Sequence, residues 1–103
     1  MGAEMFETSG DKPNVQEAFD VAKEDAFYWH GHAGYSGTIA EKMDYTVIED
    51  EPQTFEDAQA MATALFDACD DRIDDKWGPA GAIRVIDKDT NFDGYYFFGW
   101  ASS

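Results

Sequence analysis

The stretch that decides the fold is AIRVIDKDTNFDGYYFFGWA, residues 82–101 near the end of the chain. Its two ends, 82–86 and 95–101, are rich in β-branched and aromatic residues, and the polar segment between them closes with Asp-Gly. Apolar runs on either side of an Asn/Asp/Gly turn are typical of a β-hairpin. We therefore predict that the chain ends in two antiparallel strands joined by a tight turn.

The turn of this hairpin also matches the beginning of a calcium loop. Asp89, Asn91, Asp93 and Gly94 fit the opening of an EF-hand loop, in which side-chain oxygens at alternate positions bind the ion. Trp100 stands where a bidentate glutamate should close the coordination sphere. A hairpin turn is the preferred interpretation, and weak calcium binding through Asp89, Asn91 and Asp93 is the alternative.

The last strand carries aromatic side chains on both of its faces. Because successive side chains of a strand alternate, Tyr95 and Phe97 lie on one face, and Tyr96, Phe98 and Trp100 lie on the other. One face can cover the helices, whereas the other would be exposed if helices lie on only one side of the sheet. We therefore predict that Tyr96, Phe98 and Trp100 contact a partner protein or a second copy of the chain, and a strand buried on both faces is the alternative.

Two amphipathic helices precede the hairpin. Asn14 is a suitable N-cap for the first helix, whose apolar residues recur at helical spacing as far as Trp29. Thr54 caps the second, whose apolar stripe runs from Ala58 to Ile73 and includes Cys69, the single cysteine. Cys69 is therefore predicted to be a core residue.

The order of these elements, with a strand at 45–48 between the helices, is α-β-α-β-β. That order predicts an α+β fold in which two helices pack on one face of a small, mainly antiparallel sheet. The predicted organisation is a flexible N-terminal tail over residues 1–12, with a short edge strand as the alternative for that segment, and a single α+β domain over residues 13–103.

The charge of the chain limits its partners. The 7 basic and 22 acidic residues give a formal net charge of −15. Such a charge argues against direct binding to nucleic acid or to an anionic membrane and favours a basic partner. With no membrane-length apolar run, no visible signal peptide and no cofactor motif, we expect a cytoplasmic protein without a cofactor.

Aspartates are concentrated at the predicted end of the second helix, at Asp67, Asp70, Asp71, Asp74 and Asp75. Several pairs would lie one helical turn apart, and the C-terminal helix dipole repels negative charge, so this arrangement opposes helix stability. A merely solvated acidic face is one interpretation, and two specific explanations also remain open. The aspartates could meet a basic or nucleic-acid-binding protein by imitating the phosphates of a nucleic acid, or the acidity could reflect adaptation to high salt.

The glycine-rich segment after the first helix provides an alternative site. It combines imidazoles, hydroxyls, glycines and a lysine that could hold a nucleotide or phosphate, as His30, His32, Gly34, Tyr35, Ser36, Gly37, Thr38 and Lys42. The segment lacks the Walker A pattern. No complete metal set and no nucleophile–base pair can be identified, so an enzyme is not predicted.

The segments GYSGTIAEK (34–42), KWGPAGAI (76–83) and FFGWASS (97–103) resemble parts of small uncharacterised proteins encoded by bacteriophages. That resemblance implies a short accessory protein made during infection, in the host cytoplasm, and implies no activity or functional residue. Together with the charge, it leads us to expect a non-enzymatic binding module that occupies or inhibits a host protein. A nucleotide- or phosphate-binding module and a salt-adapted domain are the alternatives.

Overall fold

The structure, a computed structural model, describes residues 2–30 and 37–102. Within these ranges strands and helices follow the order β-α-β-α-β-β, with a short 3₁₀ helix at Ile39–Glu41. The elements are β1 (Ala3–Gly10), α1 (Val15–His30), β2 (Tyr45–Gln53), α2 (Phe55–Asp67), β3 (Ala80–Asp87) and β4 (Phe92–Ser102). As the sequence predicts, Asn14 and Thr54 accept hydrogen bonds at the starts of the two helices.

The strands form one sheet with the order β1-β4-β3-β2. The aromatic strand β4 lies inside the sheet, antiparallel to both β1 and β3, and only the β2–β3 pair is parallel. The predicted hairpin is confirmed, with Asn91 in a left-handed conformation at its turn. The α+β class and the mainly antiparallel sheet are also confirmed.

The prediction that both helices cover the same face is wrong. Helix α1 packs on the face of Phe97, whose ring lies 5.7 Å from that of Phe19. Helix α2 packs on the face of Phe98, whose ring lies 5.8 Å from that of Phe66. The chain crosses the sheet in one direction between β1 and β2 and returns between β2 and β3. Crossovers of the same hand then place their helices on opposite faces.

Residues 3–10, predicted to belong to a flexible tail, form the edge strand β1. The strand pairs with β4 without interruption from Ala3 opposite Ser102 to Gly10 opposite Tyr95. Its side chain Phe6 is buried in the core on the α1 face. The sequence leaves this segment open between a tail and an edge strand, because it has a single buried aromatic among polar residues. Strand β1 forms because β4 provides a complete set of backbone partners.

Gly81 of β3 allows the core on the α2 face to close. A Cβ atom at this position would lie 2.6 Å from the ring of Phe98, its partner across the strands, and 3.0 Å from Ile73. The Phe98 ring therefore lies over the backbone of β3, and α2 packs above it. Among the described residues, no helix is both long and apolar enough to span a membrane.

Candidate partner-binding surface

One end of the sheet collects the C-termini of both helices. Each helix returns from the end of one strand to the start of a parallel strand, so α1 and α2 both finish beside the first residues of β2 and β3. A helix C-terminus carries a partial negative charge of about half an elementary charge. The backbone therefore makes this end of the sheet negative before any side chain is counted.

The acidic segment, residues 67–78, begins with an abrupt helix end. Helix α2 stops at Asp67, and the N–H groups of Cys69 and Asp70 donate to the carbonyls of Phe66 and Leu65 in the pattern of a Schellman motif. Cys69 takes the left-handed position of that motif, with φ of 50°. The predicted continuation of the helix to Ile73 is therefore wrong, and Cys69 is exposed rather than in the core.

Lys42 fixes the far end of the acidic segment. Its side chain is 1% exposed, and its ammonium donates to the carbonyls of Gly78 at 2.8 Å, Lys76 at 3.2 Å and Asp75 at 3.3 Å. Burial lowers the pKa of Lys42 to about 8, while the negative charge of Asp75 acts in the opposite direction. At neutral pH the group is protonated, so three N–H donors meet three carbonyl acceptors.

A second anchor lies in the middle of the segment. Ile73 is 1% exposed and belongs to the core cluster on the α2 face, although it lies outside any helix or strand. The apolar position that appeared in the sequence as the last residue of a helical stripe thus holds a loop against the sheet. With Ile73 in the core and Lys42 beneath its end, the backbone of the acidic segment is held in one arrangement.

The aspartates of this segment divide into two groups. Asp70 and Asp75 stabilise the turn: Asp70 forms an ion pair with Arg72 at 2.9 Å, and the Asp75 carboxylate accepts from the backbone N–H of Trp77. The hydrogen bonds from Arg72 lower the pKa of Asp70 to about 2. The other group, Asp67, Asp71 and Asp74, is exposed to solvent.

Trp77 follows Asp74 by three residues in the acidic segment and is 67% exposed. The ammonium of Lys76 is 5.3 Å from the centre of the Trp77 ring and donates to the carbonyl of Gly2. Exposed tryptophans on a well-held backbone are enriched at the energetic centres of protein interfaces, and nearby carboxylates add electrostatic selectivity. The acidic segment with Trp77 is therefore the best-formed candidate site.

The aromatic residues of β4 do not belong to this surface. Tyr96 and Phe98 are buried, at 4% and 0% exposed, because α2 covers their face of the sheet. Trp100 is half-buried against Phe66, with ring centres 5.8 Å apart. The prediction that Tyr96 and Phe98 contact a partner is therefore wrong, since it assumed a sheet with helices on one face only.

Most of the glycine-rich alternative site lies outside the described residues. This applies to His32, Gly34, Tyr35 and Ser36, and to the side chain of His30. In the described part, Thr38 caps the short 3₁₀ helix, and Gly37, at φ of 72°, packs against Glu4. The assignment of Lys42 to a ligand is wrong, because its buried ammonium binds three carbonyls of the acidic segment.

The calcium-like residues are engaged in the hairpin. Asp93 pairs with Arg84, and the backbone N–H of Asp93 donates to the carboxylate of Asp11. Asp89 and Asn91 are exposed on the turn. In the part of the chain that the structure describes, no group of three or more His, Cys, Asp or Glu side chains is arranged to hold a metal ion.

Comparisons with known proteins add no family to these observations. No family model matches the chain, and no curated protein or solved structure matches it significantly. The arrangement of the described residues therefore has to support a functional conclusion by itself.

Two important residues of the site were missed by the sequence interpretation. Trp77 was assigned to a tight break between elements, although its side chain is exposed in the acidic segment. Lys42 was assigned to a ligand, although its side chain is buried. A local signal existed for Trp77, since a large aromatic within a strongly polar turn is unusual. None existed for Lys42, because its acceptors lie 33 to 36 residues further along the chain.

Proposed function

We propose that this protein is a non-enzymatic binding module whose acidic segment, residues 67–78, docks onto a basic surface of another protein. The observation that supports this most directly is the fixed backbone of the segment, which presents Asp71, Asp74 and Trp77 to solvent above the buried ammonium of Lys42. The best-fitting partner is a nucleic-acid-binding protein, whose binding face is basic.

The fixed backbone matters because it reduces the entropic cost of binding. Ordering a flexible loop on binding opposes association, whereas a segment already held by Ile73 and Lys42 does not carry that cost. The carboxylates provide electrostatic steering toward a positive surface, and the indole of Trp77 provides apolar contact area. The acidic segment therefore offers a partner both negative charge and apolar contact area.

The way in which nucleic acid could be imitated differs from the sequence-based hypothesis. That hypothesis placed the aspartates on one helix at regular spacing, whereas α2 ends at Asp67 and the following aspartates lie on turns. A regular row of carboxylates is therefore absent from residues 68–75. The proposal depends on local negative charge, reinforced by the helix C-termini, rather than on a phosphate-like repeat.

The test compares two charge-neutralised variants of equal net charge. D71N/D74N removes two carboxylates from the acidic segment, and E24Q/D89N removes two exposed carboxylates elsewhere. The probes are purified nucleic-acid-binding domains of high pI, with an equally basic domain that binds no nucleic acid as the reference. For any nucleic-acid-binding domain that the wild-type protein captures more strongly than the reference domain, we expect D71N/D74N to weaken capture at least tenfold. We expect E24Q/D89N to leave the same capture within about twofold.

Trp77→Ala completes the experiment, because an exposed indole can be removed without disturbing the core. We expect it to weaken capture while preserving the melting temperature. Equal losses for the two charge variants would indicate non-specific attraction and contradict the proposal. Unfolding of the wild-type protein at low ionic strength would instead support salt adaptation as the origin of the acidity.

A further inference from the structure

The sheet has two edges, and they are protected to different degrees. At the β2 edge the pairing with β3 shifts register twice, Pro52 removes a backbone donor, and the acidic run 49–51 adds charge. These features discourage a further strand from pairing. The β1 edge has none of the irregularities: its eight residues pair with β4 in continuous register and contain no proline. Among the described residues, no strand pairs with its outer side.

A groove runs beside β1 on the face covered by α1. Its volume is about 520 Å³, and its floor is formed by Phe6 of β1 with Ala22 and Ala26 of α1. Trp29, which is 76% exposed, forms one wall, and Asp25 adds a carboxylate. The groove is thus apolar at its base and negative at its rim, and it lies along the unpaired strand edge.

The charges around this edge select the occupant. Every ionisable side chain of β1 and of the described groove lining is acidic, namely Glu4 and Glu7 of β1 and Asp25 of α1. Pairing β1 with β1 of a second copy would bring these carboxylates close to their equivalents, in molecules that each carry a net charge of −15. A segment with lysine or arginine side chains meets the same edge with complementary charge.

We propose that β1 binds an extended, basic segment of a partner protein, which adds to the sheet as a fifth strand. Its backbone pairs with the outer side of β1. Because side chains of a strand alternate, one set enters the groove beside Trp29 and Asp25, and the other set lies on the Glu7 side of the sheet. Backbone pairing supplies affinity, and the groove and carboxylates supply selectivity.

This inference goes beyond docking at the acidic segment and does not depend on it. The two surfaces are neighbours, since Lys76 of the acidic segment donates to the carbonyl of Gly2 immediately before β1. They can nevertheless be tested separately, because the D71N/D74N variant leaves β1 and its groove unchanged.

The probe is an acetylated nine-residue peptide of alternating valine and lysine, labelled for fluorescence anisotropy. Its control carries N-methyl groups on alternate amides, which preserves the charge but blocks pairing along one edge. Two such controls are needed, because the peptide can present either of its edges to β1. One is methylated on the odd-numbered amides and the other on the even-numbered amides. We expect the unmodified peptide to bind and one methylated peptide to bind at least tenfold more weakly. We also expect the amide hydrogens of β1 to exchange more slowly with solvent when the peptide is bound.

Variants of the protein locate the site. Glu4→Lys with Glu7→Lys reverses the charge of the edge, and Glu51→Lys with Asp89→Lys makes the same change in charge elsewhere. We expect only the first pair to abolish binding, and Trp29→Ala to weaken it without unfolding the protein. If the lysines at 4 and 7 prevent folding, Trp29→Ala and the methylated peptides still decide the question.

Three results would overturn the inference. Equal binding of all the peptides would show attraction by charge alone. Unchanged exchange at β1 would place the peptide elsewhere. Protection of β1 that grows with protein concentration in the absence of peptide would identify a second copy of the chain as the occupant. If none of these results is found and the peptide still binds the D71N/D74N variant, the β1 site is supported whether or not the acidic segment binds a partner.

Discussion

Replacing Lys42 with methionine should release the acidic segment from the rest of the protein. Methionine is nearly as long as lysine and retains most of its packing, so the substitution removes mainly the ammonium and its hydrogen bonds. The carbonyls of Asp75, Lys76 and Gly78 then lose their shared donor. The variant therefore isolates the contribution of one buried charge to the position of a loop.

The size of the effect follows from the three bonds. Two are long, at 3.2 and 3.3 Å, and are therefore the weaker bonds. The third, at 2.8 Å to Gly78, is short, and an unpaired buried carbonyl costs about 1–3 kcal/mol. We expect K42M to lower the free energy of unfolding by about 2 kcal/mol at pH 7.

The pH dependence gives a more specific signature. Burial lowers the pKa of Lys42 from 10.5 in the unfolded chain to about 8 in the folded protein. Between these values the unfolded state binds more protons, so the stability of the wild type rises with pH by up to about 1.4 kcal/mol per unit. K42M lacks this contribution. The difference between wild type and K42M should therefore widen by about 2 kcal/mol from pH 7 to pH 10.

Urea unfolding followed by tryptophan fluorescence, at one-unit steps of pH, measures this difference directly. Tyrosine ionisation affects both proteins and cancels in the comparison. Lys88→Met is the matched control, because Lys88 is exposed on the β3–β4 turn and should change stability by less than about 0.5 kcal/mol. A K42M protein as stable as the wild type at pH 7, or a difference that narrows as pH rises, would refute the reasoning.

Four further predictions concern single positions. Cys69→Gly should raise the free energy of unfolding in urea by about 1 kcal/mol, because glycine adopts the left-handed conformation of the Schellman motif without strain. Gly81→Ala should lower it by about 1–3 kcal/mol, because the added Cβ overlaps the Phe98 ring. Tyr96→Phe should leave it unchanged or raise it by up to about 1 kcal/mol, since the buried hydroxyl makes no hydrogen bond of good geometry within the described residues, although the nearby Glu7 carboxylate helps to raise the Tyr96 pKa. Asp70→Asn should lower the melting temperature above pH 4, and that loss should shrink as the pH falls toward 2 and disappear below it, where the wild-type carboxylate is protonated.

Each of these has an outcome that contradicts it. A destabilised Cys69→Gly protein would mean that the thiol makes contacts the structure does not contain. A stable Gly81→Ala protein would mean that the Phe98 ring can move aside. A large loss for Tyr96→Phe would reveal a hydrogen bond, with Glu7 as the acceptor to examine first. An Asp70→Asn effect that persists undiminished below pH 2 would exclude the ion pair as its source.

The sequence by itself determined the local elements and the charge. Runs of β-branched and aromatic residues on either side of an Asn/Asp/Gly turn are sufficient for the β3–β4 hairpin, and capped apolar stripes are sufficient for most of α1 and α2. These signals depend on residues close together in the chain, where the periodicity of one element is visible. The net charge, and the preference for a basic partner that follows from it, also require only a count.

The tertiary structure decided which surfaces remain open to partners. Whether Tyr96 and Phe98 are exposed depends on the direction of two crossovers. The formation of a strand at residues 3–10 depends on β4, whose paired residues lie 85 to 99 positions further along the chain. The role of Lys42 depends on carbonyls more than thirty residues later. Such contacts form because a backbone edge or a buried charge must find partners somewhere in the folded chain, and local sequence does not specify where.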